Sequence, residues 1–329
     1  MKKNKIKDTG LEVTELSFGT SSLGSMPDTY GYEVPEQRAQ ETLKRFFQGP
    51  VNMLDTSRNY AMGESEKRIG IAIKENGGWP ENFILSTKID RNMETLVLDK
   101  KRTRESIEES LKTLNVDSVD ILFLHDPEYV KDVNDVTKKD GALDELFKIK
   151  EEGLAKAVGL AMGKINIMFP ILKNWDFDVI INHNRYTLLN READEMYSYA
   201  HSKNISIFNA APYAGGVLAK GPSNFKKITY QDVTEEKLAP AREIEKVCKK
   251  YNVEMGAAAL QFSMKDKRIT STLCGVTSVQ SIEKNLSWAQ TSIPDKFWNE
   301  LLKLPFSTKD PESERIFTPV SYTHLRAHE

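Results

Sequence analysis

Cysteine is almost missing from this sequence, and so is any excess of one charge. Only Cys248 and Cys274 occur among its 329 residues, too few for a disulfide framework and without the spacing of a zinc site. Lysine and arginine number 46 against 48 aspartate and glutamate residues, so the net charge of −2 gives no basic surface for a nucleic acid or a membrane. No apolar run approaches membrane-spanning length, and no signal-peptide core follows the lysines near the start. We therefore expect a soluble, cytoplasmic protein with reduced thiols, no metal, and neither nucleic acid nor membrane as a partner.

Short apolar segments alternate with longer amphipathic ones along the chain. Eight short segments are near-continuous hydrophobic runs, which is typical of parallel strands buried on both faces. They span residues 15–20, 52–56, 83–88, 119–125, 157–161, 179–183, 205–210 and 269–276. The amphipathic segments predict helices at residues 35–47, 64–76, 101–114, 142–152, 165–172, 191–202, 240–251 with 256–264, and 278–290. Eight such units predict an α/β fold, a (β/α)8 TIM barrel, with a doubly wound sheet as the alternative.

Several residues mark where these helices begin and end. We expect Thr103, with Glu105 and Ser106, to open one helix, and Gly153 to end another. Pro240 is expected in a first helical turn, where its missing N–H is tolerated.

The domain organisation is simple. No linker or repeat divides the chain, so residues 1–318 are predicted to form a single domain, with residues 1–13 as a short hairpin closing the barrel floor. Residues 319–329 show neither helical nor strand period and resemble translated adaptor or vector sequence, so we expect a non-native read-through tail there and give His324 and His328 no role.

Polar residues end or follow three of the apolar runs. Asp55, Lys88 and His125 end their runs, and Tyr60 lies in the loop after Asp55. In a parallel barrel such positions face the active site. A tyrosine hydroxyl, with an ordinary pKa of about 10, becomes a usable acid or base when a lysine ammonium lowers its pKa. An aspartate can anchor that lysine, and a histidine can hold a substrate oxygen in line.

Each of these residues also has a purely structural interpretation. Asp55 could cap the following turn, and His125 could be a hydrogen-bonded core residue. Lys88 is harder to explain this way, because a lysine that ends a buried run needs a charged partner or water. Their occurrence together at successive strand ends favours a catalytic site.

The same residues carry a resemblance to a known family. Residues 54–66, LDTSRNYAMGESE, are similar to the aldo/keto reductase segment with the catalytic aspartate and tyrosine, while residues 86–88 and 119–125 resemble the family's lysine and histidine strands. Further similarity extends over about residues 4–310, at residues 17–20, 153–159, 186–189, 212–218 and 275–285. The resemblance implies that Tyr60 is the general acid/base, that Lys88 and Asp55 tune it, and that His125 orients the carbonyl.

The resemblance also implies a nicotinamide cofactor, NAD or NADP, extended across the barrel mouth. This binding mode needs no GxGxxG motif, and the sequence has none. The residues matching the family's cofactor positions are Gly19, Thr20, Asp55, Tyr213, Gly215, Gly275, Thr277, Ser281 and Asn285. Glycine in such a loop lets backbone N–H groups approach phosphate.

Some positions depart from the family pattern. Ala161 and Met162 replace a Ser-Asn pair common after the fifth strand, and His183 replaces a glutamine after the sixth. Ser281 stands where an arginine would bind a 2′-phosphate, which favours NAD slightly, although Thr277 and Lys284 could still contact NADP. The changes resemble the branch with fucose, galactose and threo-aldose dehydrogenases and a pyridoxal dehydrogenase.

The resemblance and the strand ends together predict an oxidoreductase that moves a hydride between NAD(P) and a sugar or other alcohol or carbonyl substrate. Arg58, Asn59, Asn184 and Arg185 lie on predicted mouth loops and could bind sugar hydroxyls, although they could equally be solvated loop residues. Two alternatives stay open: an NADPH-dependent aldehyde or ketone reductase, and a cofactor-binding regulatory protein with little turnover, like the family's potassium-channel β-subunits.

Overall fold

The eight apolar runs form the parallel strands of a closed barrel. A computed structural model describes residues 1–315; the expected tail at residues 319–329 and the end of the predicted domain lie outside the described residues. The strands are β1 (Lys3–Lys5), β2 (Glu12–Thr14), β3 (Leu16–Gly19), β4 (Met53–Asp55), β5 (Ile84–Ile89), β6 (Val119–His125), β7 (Ala155–Met162), β8 (Val179–His183), β9 (Ser206–Ala210), β10 (Lys227–Ile228), β11 (Gln231–Asp232) and β12 (Ser271–Gly275). The barrel order is β12-β3-β4-β5-β6-β7-β8-β9. This order confirms the predicted (β/α)8 barrel and excludes the doubly wound sheet.

Helices follow the barrel strands and cover the outside of the barrel. They are α1 (Pro27–Tyr30), α2 (Glu36–Phe46), α3 (Glu64–Glu75), α4 (Lys100–Leu114), α5 (Asn134–Thr137), α6 (Ala142–Glu151), α7 (Ile165–Asn174), α8 (Asp194–Ser202), α9 (Val217–Lys220), α10 (Glu235–Tyr251), α11 (Met255–Met264), α12 (Val279–Gln290) and α13 (Asp295–Leu301). None of the helices within residues 1–315 is long and apolar enough to cross a membrane.

Three predicted helix starts are wrong. Helix α4 is capped by the Asp99 side chain, which accepts from the Arg102 N–H, so Thr103 lies inside the helix. Helix α10 begins after Thr234, and Pro240 therefore lies inside it and not in its first turn. Helix α8 begins at Asp194 instead of residue 191. The prediction that a glycine ends α6 is confirmed, since Gly153 follows the helix with a positive φ of 81°.

The barrel interior is apolar at one end and polar at the other. Successive side chains of a strand point to opposite faces, so residues two apart line the same interior. Met53, Ile84, Ile121 and Phe123 belong to one buried apolar cluster at the amino-terminal side of these strands. Polar residues follow at the carboxyl-terminal ends of β4, β5 and β6, and we call this end the mouth.

The amino-terminal hairpin closes the opposite end. Strands β1 and β2 pair antiparallel, as predicted. Ile6 and Val13 from this hairpin are fully buried and belong to the same cluster as Met53 and Ile84. The hairpin thus shields the apolar interior from water and leaves the mouth as the polar end.

The last described residues run back over the connection between β8 and α8. The Ser307 N–H donates to Leu189 O at 2.9 Å, and the Arg191 N–H donates to Ser307 O at 2.8 Å. The Asn190 amide donates to Lys309 O at 2.8 Å. We call residues 307–315 the C-terminal segment.

Candidate active site

A buried ion pair lies at the mouth. The Lys88 Nζ atom is 2.6 Å from Asp55 Oδ2 and donates to Thr56 O at 2.6 Å, and each charged side chain is only 2% exposed. The Ser86 hydroxyl donates to the other Asp55 oxygen at 2.7 Å. A buried lysine persists only where a counter-charge and hydrogen bonds satisfy it. The alternative that Asp55 merely caps a turn is therefore not what the structure shows.

Tyr60 follows this pair on a tight turn. It begins a 3-10 segment, Tyr60–Gly63, in which Ala61 and Met62 have left-handed backbone angles. The Lys88 Nζ lies 4.7 Å from the centre of the Tyr60 ring. The turn thus brings the tyrosine ring over the lysine.

The pKa of Tyr60 is raised and not lowered. Burial is the main cause, and the negative charge of Asp55 adds to it. Tyr60 therefore keeps its proton at neutral pH in the ligand-free protein, and the expected lowering of its pKa by Lys88 stays a prediction.

His125 faces Tyr60 across the mouth. The two rings meet edge to face with 5.8 Å between their centres. The Nδ1 atom of His125 is 2.6 Å from Asp90 Oδ1, and its Nε2 atom is 3.6 Å from Asp126 Oδ2. The Ser57 hydroxyl lies 3.3 Å from the same Nδ1 atom.

Carboxylates determine the charge of this histidine. Burial alone would lower the pKa of His125, but Asp126 and Asp90 outweigh it, and the pKa is raised. Burial tends to raise the pKa of Asp90, but the His125 charge and hydrogen bond outweigh it, and the pKa is lowered. Asp90 is therefore a carboxylate at neutral pH and favours the protonated histidine.

Sequence reasoning missed Asp90. It follows Lys88 by two positions and is 1% exposed. The strand period continues for one more step beyond β5, so Asp90 turns to the same interior as Lys88. A search for polar residues two positions apart at the strand end could have found it.

Several of the residues expected to bind the cofactor lie on neighbouring strands. Gly19 pairs with Gly275 on one side and with Asp55 on the other. Gly275 is exposed, and a side chain added there would meet nothing within 4 Å. Gly215 has a positive φ of 75° in the turn after β9, which neighbours β12. Gly275 thus offers open backbone at the mouth rim, whereas Gly215 is covered by the backbone of Thr229 and Tyr230.

Other expected cofactor residues make their hydrogen bonds inside the protein. The Thr20 hydroxyl is buried and donates to Asp55 O at 2.9 Å. The Ser281 hydroxyl accepts from the Thr277 N–H at 2.9 Å within the capping box of α12. The Asn285 amide accepts from Tyr213 and donates to Ser281 O at 2.7 Å. These groups shape the rim in the ligand-free protein and would have to exchange partners to bind a cofactor.

The four expected substrate residues do not share one position. Asn59 stays near the mouth, where its N–H donates to Asp90 Oδ2 at 3.0 Å. Arg58 turns away and pairs with Glu109 of α4 at 3.0 Å. Asn184 is 1% exposed, beside His183. Of the four, Asn59 thus contacts Asp90 beside the acid–base groups, through its backbone N–H.

Arg185 requires a correction. Its side chain is only 2% exposed, with Nη1 2.8 Å from Glu312 and Nη2 2.5 Å from Asp310 of the C-terminal segment. The guanidinium is enclosed by carboxylates and does not face a substrate. Sequence reasoning could not see this, because its partners lie 125 and 127 positions further along the chain.

We expect Arg185→Met to destabilise the ligand-free protein. Removing the cation takes away the partner of Asp310 and one partner of the buried Glu312, which keeps Arg315 at 2.7 Å, so we expect a cost of about 1–3 kcal/mol. Urea unfolding measures this free energy, with Arg45→Met as the control, since Arg45 pairs with the half-exposed Glu283. An unchanged unfolding free energy together with a raised KM would instead restore Arg185 as a substrate residue.

Acid–base side chains at the carboxyl-terminal ends of parallel barrel strands are the arrangement of TIM-barrel enzymes. Residues 15–304 match the sequence profile of the aldo/keto reductase family. L-galactose dehydrogenase from Arabidopsis thaliana is 31% identical over 292 residues, which cover 85% of this chain and 85% of that protein. Pyridoxal 4-dehydrogenase from Microbacterium luteolum is 26% identical over 337 residues, 91% of this chain and 96% of that one. An aldo-keto reductase from Bacillus halodurans, solved in its holo form, superposes with a TM-score of 0.78 at 21% identity, over 96% of this chain and 100% of that chain.

The chain therefore belongs to the aldo/keto reductase family, and it is an NAD(P)-dependent oxidoreductase. The predicted resemblance to the branch with sugar and pyridoxal dehydrogenases is confirmed.

Proposed function

We propose that this protein transfers a hydride between NAD(P) and a neutral sugar or a related alcohol or carbonyl compound, with Tyr60 as the general acid/base. The observation that carries the proposal is the convergence of the Asp55–Lys88 pair, Tyr60 and His125 at the ends of three adjacent strands. Such a site positions one proton donor and one oriented polar group around the same substrate oxygen.

The roles follow from the protonation of each group. Tyr60 holds its proton at neutral pH and can give it to a carbonyl oxygen. Lys88 is held under the tyrosine ring by Asp55, so its charge sits where oxyanion character develops. A bound nicotinamide cofactor supplies or accepts the hydride. In this proposal the extended cofactor lies along the mouth rim at Gly19 and Gly275.

The surroundings of the mouth favour an uncharged substrate. Asp126 lies beside His125 Nε2, and Glu312 lies 3.5 Å from His183 Nδ1. The carboxylate of Glu128 accepts from the Gly163 N–H at 2.9 Å, and burial together with Asp126 raises its pKa to about 7. The cation at Arg185 is already neutralised by acids. A phosphorylated sugar would therefore meet like charge, whereas hydroxyl groups can donate to these oxygens.

The adenine end of the rim favours NAD over NADP. Lys284 follows Ser281 on α12 and is 2.6 Å from Glu254. A lysine that is paired in this way offers less charge to a 2′-phosphate, and the carboxylate itself repels one. The preference for NAD is thus our proposal for this chain.

A panel of substrates tests the proposal. We expect neutral aldoses to be oxidised with NAD at a kcat/KM at least about tenfold above that of their phosphate esters, since one unfavourable charge contact costs about 1.4 kcal/mol or more. The absorbance of the reduced cofactor reports each rate. Equal rates with phosphorylated and neutral sugars would contradict the electrostatic argument, and no turnover with any aldose would contradict the substrate class.

One observation favours the reductive alternative. The raised pKa of Tyr60 makes it a proton donor, which is the role that carbonyl reduction requires. The same panel run with aldehydes and NADPH separates a reductase from a dehydrogenase. A protein that binds cofactor, reacts once and then stalls would point to the regulatory alternative.

We also propose that the protein works in the cytoplasm. The two cysteines, Cys248 and Cys274, are both buried and free. Free thiols suit a reducing compartment.

A further inference from the structure

Three hydrogen bonds hold the Asp90 carboxylate at the mouth, and a fourth holds its backbone. Its Oδ1 atom is 2.6 Å from His125 Nδ1, while Oδ2 accepts from the Ser57 hydroxyl and from the Asn59 N–H. Its own N–H donates to the Ser106 hydroxyl at 3.0 Å. The side chain has no freedom to turn away from the histidine.

This arrangement settles which nitrogen of His125 carries a proton. An ionised carboxylate is only an acceptor, so a 2.6 Å contact requires a proton on Nδ1. With that proton fixed, a neutral imidazole has a bare Nε2, which can accept but not donate. Only the imidazolium form donates from Nε2, the nitrogen turned away from Asp90.

We propose that Asp90 is a positioning residue that holds His125 as an imidazolium, so that Nε2–H is available to donate to the substrate oxygen. The inference rests on the proposed function only for the identity of that oxygen. The position of His125 against Asp90 and the upward direction of its pKa shift belong to the ligand-free protein.

The other charged and titratable groups around the histidine do not replace Asp90. Asp126 lies 3.6 Å from Nε2, on the side where the substrate would bind. Lys88 and His183 oppose a positive charge on His125. Tyr60 meets the ring at its edge. Asp90 is the group that both hydrogen-bonds Nδ1 and favours the charge.

The decisive experiment follows the histidine nitrogens by long-range 1H–15N NMR in the ligand-free protein between pH 5 and 9. A His125→Gln variant assigns the signals. In the wild type we expect His125 to titrate above the ordinary histidine value, with its proton on Nδ1 when neutral.

In the Asp90→Asn variant, His125 should titrate at lower pH than in the wild type. The reductive kcat/KM at pH 7.5 should fall about 100-fold, because one donor to the oxyanion is lost. Lowering the pH should return part of that rate, which a merely structural defect would not do.

Asp120→Asn is the matched control. Asp120 is also a buried acid, but it lies at the other end of β6, where it accepts from the Leu85 N–H at 2.9 Å. This variant should leave the His125 titration unchanged and kcat/KM within about twofold.

Three results would overturn the proposal. One is a wild-type His125 whose neutral form carries its proton on Nε2, and another is an Asp90→Asn protein that titrates like the wild type. If Asp90→Asn does not fold, Ser57→Ala replaces it as the test. This variant removes one hydrogen bond to the Asp90 carboxylate, which then interacts more strongly with His125, so the pKa of His125 should stay the same or rise. A fall in that pKa is the third result. If His125 titrates as expected but the wild-type protein shows no activity, the proposed function is contradicted and this inference still holds.

Discussion

We expect Tyr60→Phe to lower kcat by about 10²–10⁴-fold, the usual contribution of a positioned general acid or base. The change removes one hydroxyl and keeps the ring that covers Lys88 at 4.7 Å. Cofactor binding should therefore be nearly unchanged. Steady-state kinetics measures the first effect, and quenching of protein fluorescence by NAD or NADP measures the second.

Tyr199→Phe is the control for this variant. Tyr199 lies on α8, outside the barrel, where it packs against Phe169. Its loss of a hydroxyl should leave kcat unchanged. Near-normal turnover in Tyr60→Phe would remove Tyr60 from the proposed chemistry, and a large loss of cofactor affinity would mean that the hydroxyl mainly supports binding.

Replacing Lys88 by methionine should damage stability and turnover together. The substitution leaves Asp55 as a buried charge without its partner, which costs about 3–5 kcal/mol in the free energy of unfolding. It also removes the positive charge beside Tyr60, so kcat should fall in both directions. Urea unfolding and steady-state kinetics on the same preparation test both effects.

A surface pair provides the comparison for Lys88. Lys246→Met breaks a contact with Glu243 in which the side chains are 70% and 50% exposed. Exposed pairs contribute about 1 kcal/mol or less, so this variant should unfold almost like the wild type. A Lys88→Met protein as stable as Lys246→Met would show that Asp55 is not charged in the native state.

The sequence revealed the barrel because parallel strands leave a strong pattern. Their residues are buried on both faces, and continuous apolar runs result. The strand ends also identified Asp55, Lys88 and His125, because a charged or titratable residue at the end of a buried run needs a charged partner, a hydrogen bond or water. Helix starts were less visible, as the wrong start at Pro240 shows, because the cap at Thr234 lies before the apolar pattern begins.

The remaining features depend on distant parts of the chain. The direction of the Tyr60 pKa shift depends on burial and on the nearby charge of Asp55, and no spacing in the sequence shows how deeply a loop tyrosine is buried. Arg185 seemed to face a substrate because its acid partners belong to the C-terminal segment. Asp90 was overlooked since strand period alone did not place its carboxylate against His125.

The pairing of Arg185 also bears on how the chain folds as it is made. Its carboxylate partners are synthesised 125 and 127 residues later, and β12, which joins β9 to β3, likewise comes late. A nascent chain still lacking them has Arg185 without its two C-terminal partners and has open strand edges, which can pair with other chains. The barrel therefore closes only when nearly the whole polypeptide has left the ribosome. We expect a chain that is released early to aggregate and not to form a smaller active enzyme.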